Sequence, residues 1–152
     1  MADIKDEASF KSVLEGLSLP QQRAVGAEFV RRVLDLTDDF RLKQGVDCAT
    51  NPNASPGELL NAYRAARSAE VETYTACGQR VDWAAMAAHY VASAVAACVA
   101  PAETVVPGID IPAYKAAMGA RMARNSAMLA QDHHGECIEI AEQYRILSEY
   151  LK

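Results

Sequence analysis

The residues with the clearest capacity for chemistry stand near the C-terminus, in the segment Asp132-His133-His134-Gly135-Glu136-Cys137. Imidazole and thiolate groups are good metal ligands, and on a helix His133 and Cys137 would share one face. A zinc site needs three or four convergent ligands, and the local sequence supplies only two on one face. We therefore interpret His133, His134 and Cys137 as a helix junction with polar surface, and a metal site is the alternative.

His89 is the remaining histidine, and it lies in the middle of an apolar helical pattern. Paired with a carboxylate it could act as a general acid or base, and Glu70, Glu72 and Asp82 are available by chain position. A lone histidine on an apolar helix is more often a hydrogen-bonded core residue. We predict a structural role for His89 and keep catalysis as the alternative.

Charged side chains form two kinds of cluster. Four glutamates near the C-terminus predict a solvated face, with docking of a basic partner as the alternative: Glu136, Glu139, Glu142 and Glu149. Two pairs of arginines spaced three apart could clamp an anion, although such pairs are common on exposed faces: Arg64 with Arg67, and Arg121 with Arg124. The adjacent arginines of the second helix, Arg31 and Arg32, are expected to face solvent.

The sequence motifs of common enzyme classes are missing. Carboxylate-bridged di-iron bundles need Glu-x-x-His pairs, but the positions three residues before the histidines hold Met86, Ala130 and Gln131. The chain also has no phosphate-binding glycine loop, nucleophile elbow or HExxH motif. We therefore assign no catalytic residue, no metal and no cofactor, and we lean against an enzyme.

The elements that must position these residues are helices. Apolar residues recur at helical spacing, no segment alternates with period two, and capping residues stand at Ser18, Ser55 and Asp82. The pattern predicts an all-α, single-domain bundle of six or seven helices over residues 1–152. The predicted segments are Ile4–Leu17, a second helix ending near Leu36, Phe40–Cys48, Pro56–Cys77, Trp83–Ala100, Pro112–Gln131, and a last helix containing Cys137 to Leu151.

The composition indicates how the bundle is filled. Of 152 residues, 51% are hydrophobic and 23% are charged, which is typical of a globular chain, but only 7% are aromatic. Alanine must therefore fill much of the interior. The segment Trp83–Ala100 is apolar on nearly every side, which predicts that it is the central helix. Because this segment includes His89 and is mostly alanine, burial among helices is favoured over membrane insertion.

Charge and cysteine content narrow the function classes. The formal net charge is -5, which argues against nucleic-acid binding because that requires a basic surface. The acidic start, Met1 to Glu7, lacks the pattern of a signal peptide.

The four cysteines, Cys48, Cys77, Cys98 and Cys137, form no CxxC motif and are expected to be buried free thiols. We therefore expect a cytoplasmic protein.

The segment from Gln22 to Leu36, the Ser/Glu-capped helix from Ser55 to Arg67, and the alanine-dominated helix from Trp83 to Ala100 together resemble alanine-rich, all-helical putative immunity proteins of bacteria. The resemblance implies a helical bundle that binds a protein partner and neutralises a toxin, and it transfers no functional residue.

We thus predict a non-enzymatic protein–protein interaction module, immunity-like in its role. The alternative is a small-ligand or metal-binding enzyme that uses His89 or the His133/His134/Cys137 cluster. A homo-oligomer assembled through an alanine-rich face is a third possibility.

Overall fold

The computed structural model of this chain describes residues 3–77, 82–132 and 138–152. Within these ranges the chain forms an all-α bundle with no strand, as predicted. The helices are α1 (Glu7–Glu15), α2 (Leu19–Arg31), α3 (Phe40–Thr50), α4 (Pro56–Cys77), α5 (Trp83–Val99), α6 (Pro112–Ala130) and α7 (Glu139–Tyr150), with 3₁₀ turns at Leu34–Leu36 and Ala102–Thr104.

The predicted capping residues begin three of these helices. The Ser18 hydroxyl accepts the backbone N–H of Gln21, and the Gln21 side chain accepts the backbone N–H of Ser18 in return. The Ser55 hydroxyl accepts the N–H of Glu58 at 3.1 Å, and Asp82 accepts the N–H three residues later at 3.1 Å. Each bond satisfies a backbone donor that the first helical turn leaves unpaired.

Two predicted helix ends are wrong for the same physical reason. Asp6 caps α1, so Ile4 lies before the helix, although its side chain packs against buried residues. The helix α2 ends at Arg31, but Leu34 and Leu36 pack on the core from a 3₁₀ turn. Apolar periodicity marks which side chains are buried, and here burial continues beyond the helical backbone.

The helix α5 is the alanine-rich centre of the bundle, as predicted, and α2, α3, α4 and α6 all pack against it. One side of α5 is sealed: Val91, Ala94, Val95 and Cys98 are all at most 1% exposed. We call these four residues the covered face of α5. A side chain on Gly119 of α6 would come within 2.8 Å of Ala94 Cβ, so this glycine lets α5 and α6 approach closely.

A second cluster of buried residues joins α1, α2, α6 and α7 around Phe10 and Phe29, whose rings are in contact at a tilt of 45°. The buried side of α7 is partly polar: Glu139 and Gln143 are fully buried there beside Leu147. Ile140 of the same helix is 40% exposed. The buried carboxylate and amide both find partners on neighbouring helices, which makes their burial tolerable.

Among the described residues, none of the helices combines the length and the apolar composition needed to cross a lipid bilayer.

Candidate functional site: a groove between α4 and α6

A groove runs along the uncovered side of α5, between α4 and α6. Each of the three helices turns toward it a stripe of residues spaced three or four apart. The stripes are Tyr63, Arg67 and Glu70 on α4, Tyr90, Ser93, Ala97 and Ala100 on α5, and Lys115, Met118 and Met122 on α6. The groove has a volume of about 590 Å³.

Small residues form the floor of the groove. Ser93, Ala97 and Ala100 of α5 lie there together with Gly119 of α6. Larger side chains at these positions would fill the space between α4 and α6. The alanine content that lets neighbouring helices pack on the covered face therefore leaves a depression on the other side.

Methionines and tyrosines form the apolar part of the groove walls. Met118 and Met122 on α6 are 38% and 40% exposed, which is high for large apolar side chains. Tyr63 of α4 and Tyr90 of α5 supply the aromatic part of the lining. Methionine is flexible and polarizable, so this wall can adapt to the shape of a ligand.

Two ion pairs stand on opposite walls of the groove. Arg67 and Glu70 pair on α4, one turn apart. Lys115 of α6 binds Asp110 with 2.7 Å between Nζ and Oδ1, and Asp110 also accepts the backbone N–H of Val106 at 2.8 Å. These two hydrogen bonds lower the pKa of Asp110, with Lys115 making the larger contribution.

The segment after α5 closes one end of the groove. Thr104, Val105 and Pro112 line it there. In the apolar stretch from Val105 to Ile109, Val106 is 47% exposed and Ile109 is 76% exposed. Only Val105 of that stretch contributes to the groove wall.

His89 lies beside the groove and fastens α5 to α4. Its Nδ1 is 2.9 Å from the backbone carbonyl oxygen of Glu70, so Nδ1 carries the proton and donates it. The ring also contacts the rings of Tyr74 and Tyr90, at centroid distances of 5.7 and 5.6 Å. The imidazole is therefore hydrogen-bonded, as predicted, although it is partly exposed rather than sealed in the core.

The carboxylates considered as catalytic partners of His89 are engaged elsewhere. The Glu70 carboxylate pairs with Arg67, and the Glu72 carboxylate accepts hydrogen bonds from Arg41. Asp82 caps α5. The described residues thus give His89 a backbone partner and no carboxylate, which is the arrangement of a structural histidine.

The predicted metal-ligand cluster, His133, His134 and Cys137, lies outside the described residues. Within the described ranges, no three histidines, cysteines, aspartates or glutamates are grouped so as to hold a metal ion. A metal site at the C-terminal junction therefore stays a prediction.

The arginines predicted to be exposed on α6 are largely buried. Arg121 donates to Gln143 at 2.7 Å and to Glu7 at 2.8 Å, so it joins α6 to α7 and α1. Arg124 donates to the backbone carbonyl of Arg32 at 2.7 Å. Most N–H groups of these two side chains make internal contacts, and the Nη2 of Arg121, which has no hydrogen-bond partner among the described residues, is buried away from solvent. This argues against an anion clamp at this position.

The C-terminal glutamates are also paired internally. Glu139 is fully buried and accepts two hydrogen bonds from Arg32, whose expected orientation toward solvent is therefore wrong. Glu142 and Glu149 both accept from Arg145. Of the four glutamates, Glu136 lies outside the described residues, and the other three offer little free negative charge to a basic partner.

Sequence reasoning did not identify the groove. The sequence does contain the three stripes of residues at helical spacing, but each stripe taken alone indicates an ordinary packing face. Only the relative placement of α4, α5 and α6 shows that the three stripes surround open space.

In comparisons with protein-family models, curated proteins and solved structures, nothing matches this chain.

Proposed function

We propose that this protein binds an amphipathic helix of a partner protein in the groove between α4 and α6. The observation that carries the proposal is the meeting of three helical stripes around one open channel. A helix laid in that channel would contact α4, α5 and α6 at once, as the missing member of a four-helix arrangement.

The dimensions of the groove suit a short helix. From Tyr90 to Ala100 the floor helix rises about 15 Å, which corresponds to roughly three helical turns. The small floor residues allow a guest helix axis to approach α5 to about 8–10 Å, the usual distance between packed helices. The guest would present aliphatic side chains at positions i, i+3, i+4 and i+7 to the floor and to Met118 and Met122.

Partner binding is also what the resemblance to immunity proteins implies. A toxin as the partner stays a prediction, since the shape of the groove favours a helix but does not indicate which protein supplies it. The enzymatic alternative has less support, because the described residues that line the groove include no histidine or cysteine, and the two carboxylates among them are ion-paired.

The proposal can be tested with labelled helical peptides. The probe is a hydrocarbon-stapled peptide of about 14 residues, with leucines at i, i+3, i+4 and i+7 and glutamine at the flanking positions. Binding is measured by fluorescence anisotropy. We expect saturable binding that Ala97→Trp weakens by about tenfold or more, because the indole would fill the floor.

The matched control is Ala84→Trp, at an exposed position of the same helix that does not line the groove. It should bind the peptide as the wild type does. No binding at millimolar peptide, or equal binding by Ala97→Trp, would overturn the proposal. Light scattering tests whether the protein is a homo-oligomer. A wild-type dimer that the substitution Ala97→Trp dissociates would show that a second copy of the chain occupies the groove.

A further inference from the structure

The cations on the groove walls are more exposed than the carboxylates they bind. The Arg67 side chain is 52% exposed and its partner Glu70 is 14% exposed. The Lys115 side chain is 60% exposed and its partner Asp110 is 18% exposed. A ligand entering the groove would therefore meet a guanidinium on the α4 wall and an ammonium on the α6 wall before it met either carboxylate.

Both cations of the groove keep hydrogen-bond donors that their ion pairs do not use. Arg67 carries more N–H groups than its contact with Glu70 uses, and an ammonium likewise keeps donors after one bond. Asp110 already accepts from Lys115 and from a backbone N–H. The hydroxyl groups of Tyr63, Tyr90 and Ser93 can donate or accept, so they favour neither sign of ligand charge. The more exposed member of each ion pair is therefore the donor.

From this imbalance we infer that the partner helix is acidic, with aspartate or glutamate side chains on both flanks of its apolar stripe. This inference rests on the proposed function. One flank would reach Arg67 and the other Lys115, so the two contacts would set the depth and the register of the helix. Each ion pair on the rims is formally neutral, but its exposed member is the cation, so an acidic flank would meet positive charge first.

The test uses the stapled peptide in three forms, with glutamate, glutamine or lysine at the flanking positions. At low salt we expect the glutamate form to bind about tenfold more tightly than the lysine form, since each exposed pair contributes modestly. The preference should shrink at about 0.5 M salt, because exposed charges are screened there.

Variants assign the preference to the two cations. Arg67→Gln and Lys115→Gln should each reduce it by about threefold. Arg67→Gln combined with Glu70→Gln should reduce it as well, which excludes simple repulsion by an unpaired Glu70. The control is Arg64→Gln, an exposed arginine on the same helix outside the groove lining, and it should leave the preference unchanged.

The outcomes separate the two proposals. If the glutamine form binds but the glutamate and lysine forms bind equally, or the lysine form binds more tightly, the acidic partner is wrong and the helix groove stands. A preference that survives both cation substitutions contradicts the assignment to Arg67 and Lys115. If no form binds, both proposals fail.

Discussion

The two sides of α5 are both rich in small residues, yet they meet different surroundings. On the covered face, Ala94 lies under Gly119 of α6 and is fully buried. Three residues further along the same helix, Ala97 lies on the floor of an open groove. Alanine by itself therefore does not determine whether a helix face is filled. Whether a face of α5 is filled depends on the neighbouring helix, which either packs closely against that face or leaves space beside it.

The ion pairs of the molecule also differ in how they are covered. The carboxylate of Glu139 is fully buried between Arg32 and Arg124, where it joins α7 to α2 and α6. The Arg67–Glu70 and Lys115–Asp110 pairs at the groove expose their cations. We infer that the first kind of pair stabilises the fold and that the second kind is available for binding.

The largest effect is expected for Arg32→Ala. Among the described residues, it leaves the buried Glu139 carboxylate with the longer contact to Arg124, at 3.4 Å, so the free energy of unfolding should fall by about 3 kcal/mol. The matched control is Arg145→Ala on α7, whose ion pairs are exposed, so that its loss of stability should be much smaller. Urea denaturation measures both, and similar losses would refute the distinction between the two kinds of pair.

The next effect concerns the close approach of α5 and α6. Gly119→Ala would place a methyl group 3.2 Å from the Cα of Ala94 and from the carbonyl oxygen of Tyr90, where backbone must move. We expect a loss of about 1–2 kcal/mol after the gain in helix propensity. Gly57→Ala is the control, since its nearest neighbour is the Ser55 hydroxyl at 3.8 Å. If Gly119→Ala were as stable as wild type, the helices would not depend on this glycine.

A smaller effect is expected for Glu7→Gln. Burial raises the pKa of Glu7, but hydrogen bonds from Arg121, Tyr144 and Tyr114 outweigh it, so the pKa lies below its ordinary value of 4.5. The substitution should cost about 1 kcal/mol at pH 7, because the carboxylate is partly solvated.

The pH dependence of this variant follows from the sign of the shift. The unfolded chain takes up the proton first, so the contribution of Glu7 is full above pH 4.5 and is lost as the pH falls through the lower folded pKa. The stabilities of wild type and Glu7→Gln should therefore converge in acid. A gap that persists at low pH would mean that the carboxylate charge is not what holds α1.

Much of the fold could be predicted from the sequence, because helix starts are local. Ser18, Ser55 and Asp82 each accept a hydrogen bond from a residue three positions away, so the local sequence suffices. The buried roles of Glu139 and Gln143 could not be predicted in this way. Their partners, Arg32 and Arg121, are distant in the chain, so the local sequence does not indicate them.

The candidate site was less predictable than the fold. A groove is defined by the absence of a neighbour, and no residue in the sequence marks an absence. The sequence drew attention to His89, yet the structure gives that ring a backbone partner beside the groove. Tyr90 and Met122, which line the groove, have the same spacing as core residues.

The smallest effect on stability near neutral pH is expected for Cys98, on the covered face of α5. Burial raises its pKa to about 12, with Arg23 opposing this only in part. In a variant with Cys48, Cys77 and Cys137 replaced by serine, alkylation of native Cys98 by iodoacetamide at pH 8 should be at least about 100-fold slower than in urea. A thiol introduced by Ala97→Cys, with Cys98→Ser, should react at the rate of an accessible thiol.

The same shift predicts behaviour in alkali. Because the folded protein keeps Cys98 neutral while the unfolded chain ionises near pH 9, this part of the stability is intact below pH 9 and declines above it. Cys98→Ser should flatten the decline. An equally steep loss in that variant would mean that other groups cause it.

The most direct test is to make the same substitution on both sides of α5 and to measure the free energy of unfolding in urea. Ala94→Leu adds volume where Gly119 leaves none and should cost about 3 kcal/mol. Ala97→Leu adds it to the groove floor and should change stability by less than about 0.5 kcal/mol, while it weakens peptide binding. Equal losses at the two positions would show that the groove is packed in solution, and the proposed binding site would not exist.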